Sequence, residues 1–131
     1  MPPLITRQAL FDQAGIIATT SFSELPDAAV LIASQPVPAG RRVCIVTNGG
    51  GAGVLAADAC AEAGLAVAAP GPKARRRLRA VLPDGSALSG PVDTTMAVSA
   101  EALRRALLIA SEDGVDALIA LVIPTAVADL I

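Results

Sequence analysis

Apolar residues are spaced in two ways along this chain, and the change falls at a proline-rich stretch. Before it, Thr6 to Ala14 and, roughly, Phe22 to Ser34 place apolar residues at helical intervals. Gly15 would end the first helix as a left-handed C-cap, and Ile16-Ile17-Ala18 reads as a brief extended piece. Ser21 and Glu24 have the spacing of a capping box for the second helix, whose apolar positions are Ala29, Leu31, Ile32 and Ala33. Pro26 fits the first turn of that helix and not beyond it. Gln35-Pro36-Val37-Pro38-Ala39-Gly40 cannot be helical. It predicts a boundary between an amino-terminal helical segment, 1–38, and a second domain, 39–131.

After the boundary, short apolar runs alternate with helical ones. Val43 to Val46 is β-branched and apolar throughout, as buried parallel strands are. Asn48 to Gly53 reads as a tight loop, followed by a helix from Val54 to Ala63 that Gly64 closes. Leu65 to Ala68 predicts a second strand, ended by Pro70, and Lys73 to Leu82 a helix stopped by Pro83. Ala87-Leu88 is the candidate third strand. Ser99 should cap a helix from Ala100 to Ala110, and Val115 to Ile123 is the last strand. This alternation predicts an α/β fold of three layers, α/β/α, around a parallel sheet, with a short helical segment in front of it. The glycine-rich stretch falls at the carboxyl end of the first strand, the edge where open α/β sheets bind their ligands.

Composition narrows the chemistry. The 131 residues are 53% hydrophobic and 17% charged, enough for a packed core. A net charge of −2 and an aromatic content of 2% argue against a nucleic-acid or anionic-membrane binder. The chain holds no histidine, so it has no histidine base, phosphohistidine or histidine-bound metal of its own. Cys44 and Cys60 lie in apolar segments and read as small buried hydrophobes in a reducing compartment. Neither a leader peptide nor a membrane span is expected, since the run Ala117–Ile123 is stopped by Pro124, far short of the roughly 20 residues a span needs. A cytoplasmic location follows as the default.

The glycine-rich stretch, Asn48-Gly49-Gly50-Gly51-Ala52-Gly53, is the one candidate site. Glycines admit positive φ and close approach of a ligand. Amides at a helix start point outward, and the helix dipole favours an anion there. A nucleotide P-loop fails, because Val54-Leu55-Ala56 replaces the required Gly-Lys-Ser/Thr. Gly51-x-Gly53-x-x-Ala56 fits a dinucleotide fingerprint, but the next strand ends Val67-Ala68-Ala69-Pro70, with no acid to hold a ribose. A phosphoryl site at a bare helix terminus and a ligand-free tight turn both remain open.

The run from Arg42 to Cys60 resembles NDP-forming acyl-CoA synthetases, relatives of succinyl-CoA ligase. It is also similar to the synthetase-like half of bacterial lysine acetyltransferases of the GNAT type. Phe11–Ile17, Leu31–Pro38, Arg77–Pro83, Pro91-Val92-Asp93 and Gly114–Ala117 extend the similarity over nearly the whole chain, with Gly90 standing where the family has Asn. The resemblance implies a flavodoxin-like, succinyl-CoA synthetase-like domain, excised from a longer protein. It also implies that Asn48, Gly49, Gly50, Gly51, Ala52 and Gly53 cradle a phosphohistidine. Its partners would be the CoA-binding, histidine-bearing and ATP-grasp domains of the same polypeptide. That parent makes acyl-CoA from acid, CoA and a nucleoside triphosphate, using ATP or ADP, CoA and magnesium, none bound by this chain alone. The acetyltransferase relatives imply a ligand-sensing domain without ligase chemistry as the alternative, a dinucleotide-binding domain being the second. Association into a homo-oligomer is left open.

Three further groups stand out. Asp93 and Thr94 fall in a loop near the ligand edge, where they would orient a ligand or a magnesium-bound phosphate, or make local turn bonds. Lys73, Arg75, Arg76, Arg77 and Arg79 form a solvated basic face, or a docking patch for an acidic domain or for CoA phosphates. Glu112, Asp113 and Asp116 enter the last strand at its amino end, the wrong edge for a site, and are expected to be turn residues.

Overall fold

A computed structural model describes residues 4–124. The chain divides into two compact units, Met1–Val37 and Pro38–Ile131.

The first unit holds α1 (Leu4–Ala14) and α2 (Glu24–Ser34). Gly15 ends α1 at φ +67, with the Ile16 amide donating to the Phe11 carbonyl at 2.9 Å. This is a Schellman cap, and it needs the left-handed conformation glycine supplies. The cap before α2 differs from the expected reciprocal box. The Glu24 amide donates to Ser21 Oγ at 3.3 Å, but the Glu24 carboxylate accepts from the Thr20 amide at 2.8 Å. Those Thr20 bonds hold the Glu24 carboxyl below its usual range. Ile16–Ala18, expected to be extended, has no strand partner among the described residues. No residue of α2 is buried, and its Val30, Leu31 and Ile32 are exposed.

The second unit is built on β1 (Arg42–Thr47), buried from Val43 to Thr47. β2 (Ala66–Val67), β3 (Val92–Asp93) and β4 (Ala117–Leu121) all pair with β1 in parallel. Main-chain carbonyls of Arg41, Val43 and Thr47 accept from β2 and from the end of β3, while that of Arg42 accepts from Asp116 at the entry to β4. Alternate carbonyls point to opposite edges, so β2 and β3 follow one another along one edge of β1 and β4 takes the other. The expected third strand at Ala87-Leu88 is corrected. Ala87 makes only an isolated antiparallel bridge to Asp93, and the third parallel strand is Val92–Asp93, just past Pro91.

Helices cover both faces. Val43 and Ile45 pack with Cys60 of α3 (Gly50–Glu62), while Cys44 and Val46 pack on Ala74 and Leu78 of α4 (Pro72–Arg79) and on Leu103, Ala106 and Ile109 of α5 (Ala100–Ser111). Alternation along one strand thus builds two cores and three layers, the parallel α/β/α arrangement the pattern predicts. Ser99 caps α5 as expected, its Oγ accepting from the Ala102 amide at 3.2 Å. α4 stops at Arg79, earlier than the expected Leu82.

The carboxylates at the amino edge hold the chain's crossings together. Asp116 Oδ2 accepts from the Arg42 amide at 2.8 Å, and Asp113 Oδ2 accepts from the Gly71 amide at 2.6 Å. Charged acceptors on amides make stronger bonds than neutral ones.

Both cysteines are buried and free. Burial, with the Asp113 charge adding, pushes the Cys44 thiol up to about 11. The folded chain therefore keeps a proton that the unfolded chain loses from about pH 8.5, so this contribution to stability is present below that pH and lost as pH rises towards 11. In a Cys60→Ala variant, alkylation of Cys44 at pH 8 should run at least ~100-fold slower in the folded chain than in urea, since thiolate fraction sets the rate. Similar rates in the two states would contradict the burial of this thiol.

Candidate functional site

β1 ends at the middle of the sheet, buried on both sides, so its last polar groups must be satisfied internally. Thr47 Oγ1 accepts from the Gly49 amide at 3.0 Å and donates to the Gly49 carbonyl at 3.2 Å. Asn48, 1% exposed, donates from Nδ2 to the Ile123 carbonyl and accepts at Oδ1 from the Ile123 amide, both at 2.8 Å. These paired bonds tie the end of β1 to the segment after β4. What Asn48 brings to the turn is therefore its main chain, because its side chain is committed within the protein. Thr94, fully buried, donates its hydroxyl to the Thr47 carbonyl at 3.0 Å, so it fastens β3 to β1 and its Oγ faces the protein.

The glycines are not a loop. α3 begins at Gly50 with Gly49 as N-cap, four residues earlier than the glycine content suggests. Helix propensity counts against glycine, yet here the first turn is made largely of it. Left-handed φ is also not the reason for these glycines. Positive φ occurs at Gly15, Gly64, Gly85, Gly114 and Thr95, and at none of Gly49, Gly50, Gly51 and Gly53. Space bears on three of the four, most firmly on Gly53, since the contacts at Gly49 and Gly50 are with side-chain ends that can shift. A Cβ on Gly49 would strike Ile123 Cδ1, one on Gly50 would come 2.5 Å from Asp93 Oδ2, and one on Gly53 would come 2.9 Å from Thr47 Cγ2. Gly51 meets nothing within 4 Å.

The amides of this turn divide by partner. Gly49 donates to Thr47 Oγ1, and Gly53 donates to the Gly49 carbonyl at 3.2 Å as the first helical bond. Those of Gly50, Gly51 and Ala52 have no acceptor among the described residues. They sit at the positive end of the α3 dipole, on the carboxyl edge of the sheet.

Asp93 was expected in a loop, and it is instead the last residue of β3, in register with Thr47. Its Oδ1 accepts from the Thr95 amide at 2.9 Å, leaving Oδ2 beside Gly50. Thr95 is held at φ +65, a left-handed conformation that costs a β-branched residue of order 1–2 kcal/mol. Sequence reading missed this strain, which no local pattern announces. Three open amide donors and one carboxylate thus share the end of β1, an arrangement suited to an oxyanion that carries a cation or a proton with it. Among the described residues no cluster of three or more His, Cys, Asp or Glu can hold a metal. No helix of the described residues is long and apolar enough to cross a membrane.

These features define a parallel α/β domain with open helix amides at its ligand edge. The chain belongs to the Ligase-CoA domain family, whose model matches residues 43–128. It is 40% identical over 125 residues to the ADP-forming acetate–CoA ligase I of Archaeoglobus fulgidus, covering 95% of this chain and 18% of that protein. It is 38% identical over 120 residues to the alpha subunit of ADP-forming acetate–CoA ligase II of Pyrococcus furiosus, covering 90% of this chain and 26% of that subunit. The solved acetyl-coenzyme A synthetase 1 of Ca. Korarchaeum cryptofilum, in complex with phosphate and ADP, superposes with a TM-score of 0.88 at 28% identity, covering 97% of this chain and 28% of that one. The chain therefore spans about a quarter or less of the curated relatives it matches. The comparisons support the ligase reading over the acetyltransferase-linked and dinucleotide-binding ones, and the fold is that of the flavodoxin-like domain of such synthetases.

Two glycine substitutions separate room from conformation. Gly51→Ala should leave the fold intact and raise stability by up to about 1 kcal/mol, as expected of alanine in an unstrained helical position. Gly53→Val should cost about 2 kcal/mol or more by overpacking against Thr47 and Pro91. Urea titrations of the two variants check this, and equal losses from both would contradict it.

Proposed function

We propose that this chain is the part of an ADP-forming acyl-CoA ligase that receives a phosphoryl group at the amino end of α3 while an acid and CoA are joined at the expense of a nucleoside triphosphate. One observation carries the reading: the amides of Gly50, Gly51 and Ala52 have no protein acceptor among the described residues and stand at the carboxyl edge of a parallel sheet. Main-chain donors of this kind match the oxygens of a phosphoryl group and add the helix dipole to the attraction. Relatives named as ADP-forming CoA ligases supply the reaction class.

Each sequence-predicted residue takes a definite part. Gly50, Gly51 and Ala52 donate. Gly53 keeps the turn close to Thr47, where a side chain would push it away, and Gly49 lies against the end of the Ile123 side chain. Asn48 and Thr94 fix the frame through Ile123 and Thr47. Asp93 puts a carboxylate beside Gly50, repelling a bare dianion and favouring a phosphoryl group that arrives with a proton or a cation. For magnesium the fit is that of an ion carried in on phosphate oxygens, with Asp93 as at most one protein ligand. The chain has no histidine, so any phosphohistidine belongs to a partner domain, and we assign the CoA and ATP or ADP sites to partner domains as well.

Calorimetry with inorganic phosphate tests the proposal. The chain should bind phosphate weakly, and Asp93→Asn should tighten binding several-fold by removing the neighbouring negative charge. Undetectable binding by both proteins, or weaker binding by Asp93→Asn, would overturn it.

A further inference from the structure

We propose that the groove between α4 and α5 docks an acidic, aliphatic helix of a partner protein. A cavity of about 400 Å³ opens there, lined by Arg77, Val81, Arg105, Leu108, Ile109 and Glu112 among others. Val81, Leu108 and Ile109 make an aliphatic floor, in which Leu108 is left 50% exposed. Arg77 of α4 and Arg104 and Arg105 of α5 also line it.

The charge is concentrated. α4 and α5 carry seven of the ten lysines and arginines of a chain whose net charge is −2. Arg77 pairs with Glu112 at 2.7 Å and Arg104 with Glu101 at 3.0 Å, whereas Arg105 has no ion-pair partner among the described residues. Compensation of the helix dipole accounts for Arg76, Arg77 and Arg79, which fall in the last turn of α4. It does not account for Arg105, in the middle of α5, nor for the exposed Leu108 one turn further along the same face.

Two features select the occupant. No aromatic residue lines the groove, so it offers no ring on which a nucleotide base can stack, while three arginines against one glutamate leave its lining positive. A furrow between two helices accepts a third by ridge-into-groove packing, its apolar side down and its carboxylates against the guanidinium forks. The inference stands apart from the phosphoryl site, which lies at the end of β1, and does not rest on the ligase reading.

Amide NMR of the whole chain with a synthetic amphipathic helix of Leu, Ala and Glu tests it. Two control peptides keep the composition but scatter the leucines, or replace every Glu by Lys. The acidic amphipathic peptide should shift Ala80, Val81, Arg105 and Leu108, and bind less as salt rises. Arg105→Glu, an exposed change that should spare the fold, should weaken it about tenfold, and Leu108→Ser should weaken it several-fold. Equal binding of the scattered peptide, shifts confined to other surfaces, or indifference to both variants would overturn the proposal. Displacement of the peptide by CoA with the same residues shifting would reassign the groove to a phosphate ligand. Concentration-dependent self-association abolished by Arg105→Glu would reassign it to a second copy of this chain.

Discussion

The structure depends on burying one strand from both sides. β1 is closed in from Val43 to Thr47, and neighbouring residues serve opposite cores: Val43 and Ile45 under α3, Cys44 and Val46 under α4 and α5. A strand so enclosed cannot end in water. Its last polar groups are met by Thr94 on the Thr47 carbonyl, by Thr47 Oγ1 on the Gly49 amide, and by Asn48 on both main-chain groups of Ile123. With those bonds made, the chain turns at once into a helix, and the first amides of that helix are the donors left over. The candidate site is thus a consequence of how the strand is finished, because an unmet buried donor or acceptor costs about 1–3 kcal/mol and those of Thr47 and Asn48 named above have been met.

Glycine acts in this turn by what it leaves out. Gly49, Gly50 and Gly53 stand where a Cβ would meet Ile123, Asp93 or Thr47, so the helix start is drawn in against the ends of β1 and β3. That closeness sets the Asp93 carboxylate beside the open amides. The strain needed to aim Asp93 is held elsewhere, in the left-handed Thr95 whose amide its other oxygen accepts. In the site we propose, the carboxylate beside the three amide donors penalises anions that come without a positive companion.

Much of this was legible in the sequence. The apolar run from Val43, the glycines after it and the helical spacing beyond them identify the strand, the turn and the sheet edge, and the Arg42–Cys60 run carries the family. The start of α3 was not legible, because glycine lowers helix propensity and only tertiary contacts explain its presence in a first turn. β3 was missed because a two-residue strand behind Pro91 has no periodicity to read. The commitment of the Asn48 side chain to Ile123 spans 75 positions, and no local pattern reports a bond over that distance.

The most direct measurement is an amide NMR titration of the chain with inorganic phosphate. The account predicts the largest, saturable shifts at Gly50, Gly51 and Ala52, smaller ones at Thr94 and Thr95, and little change along α4. Shifts concentrated on the arginines of α4, with the start of α3 unmoved, would contradict it.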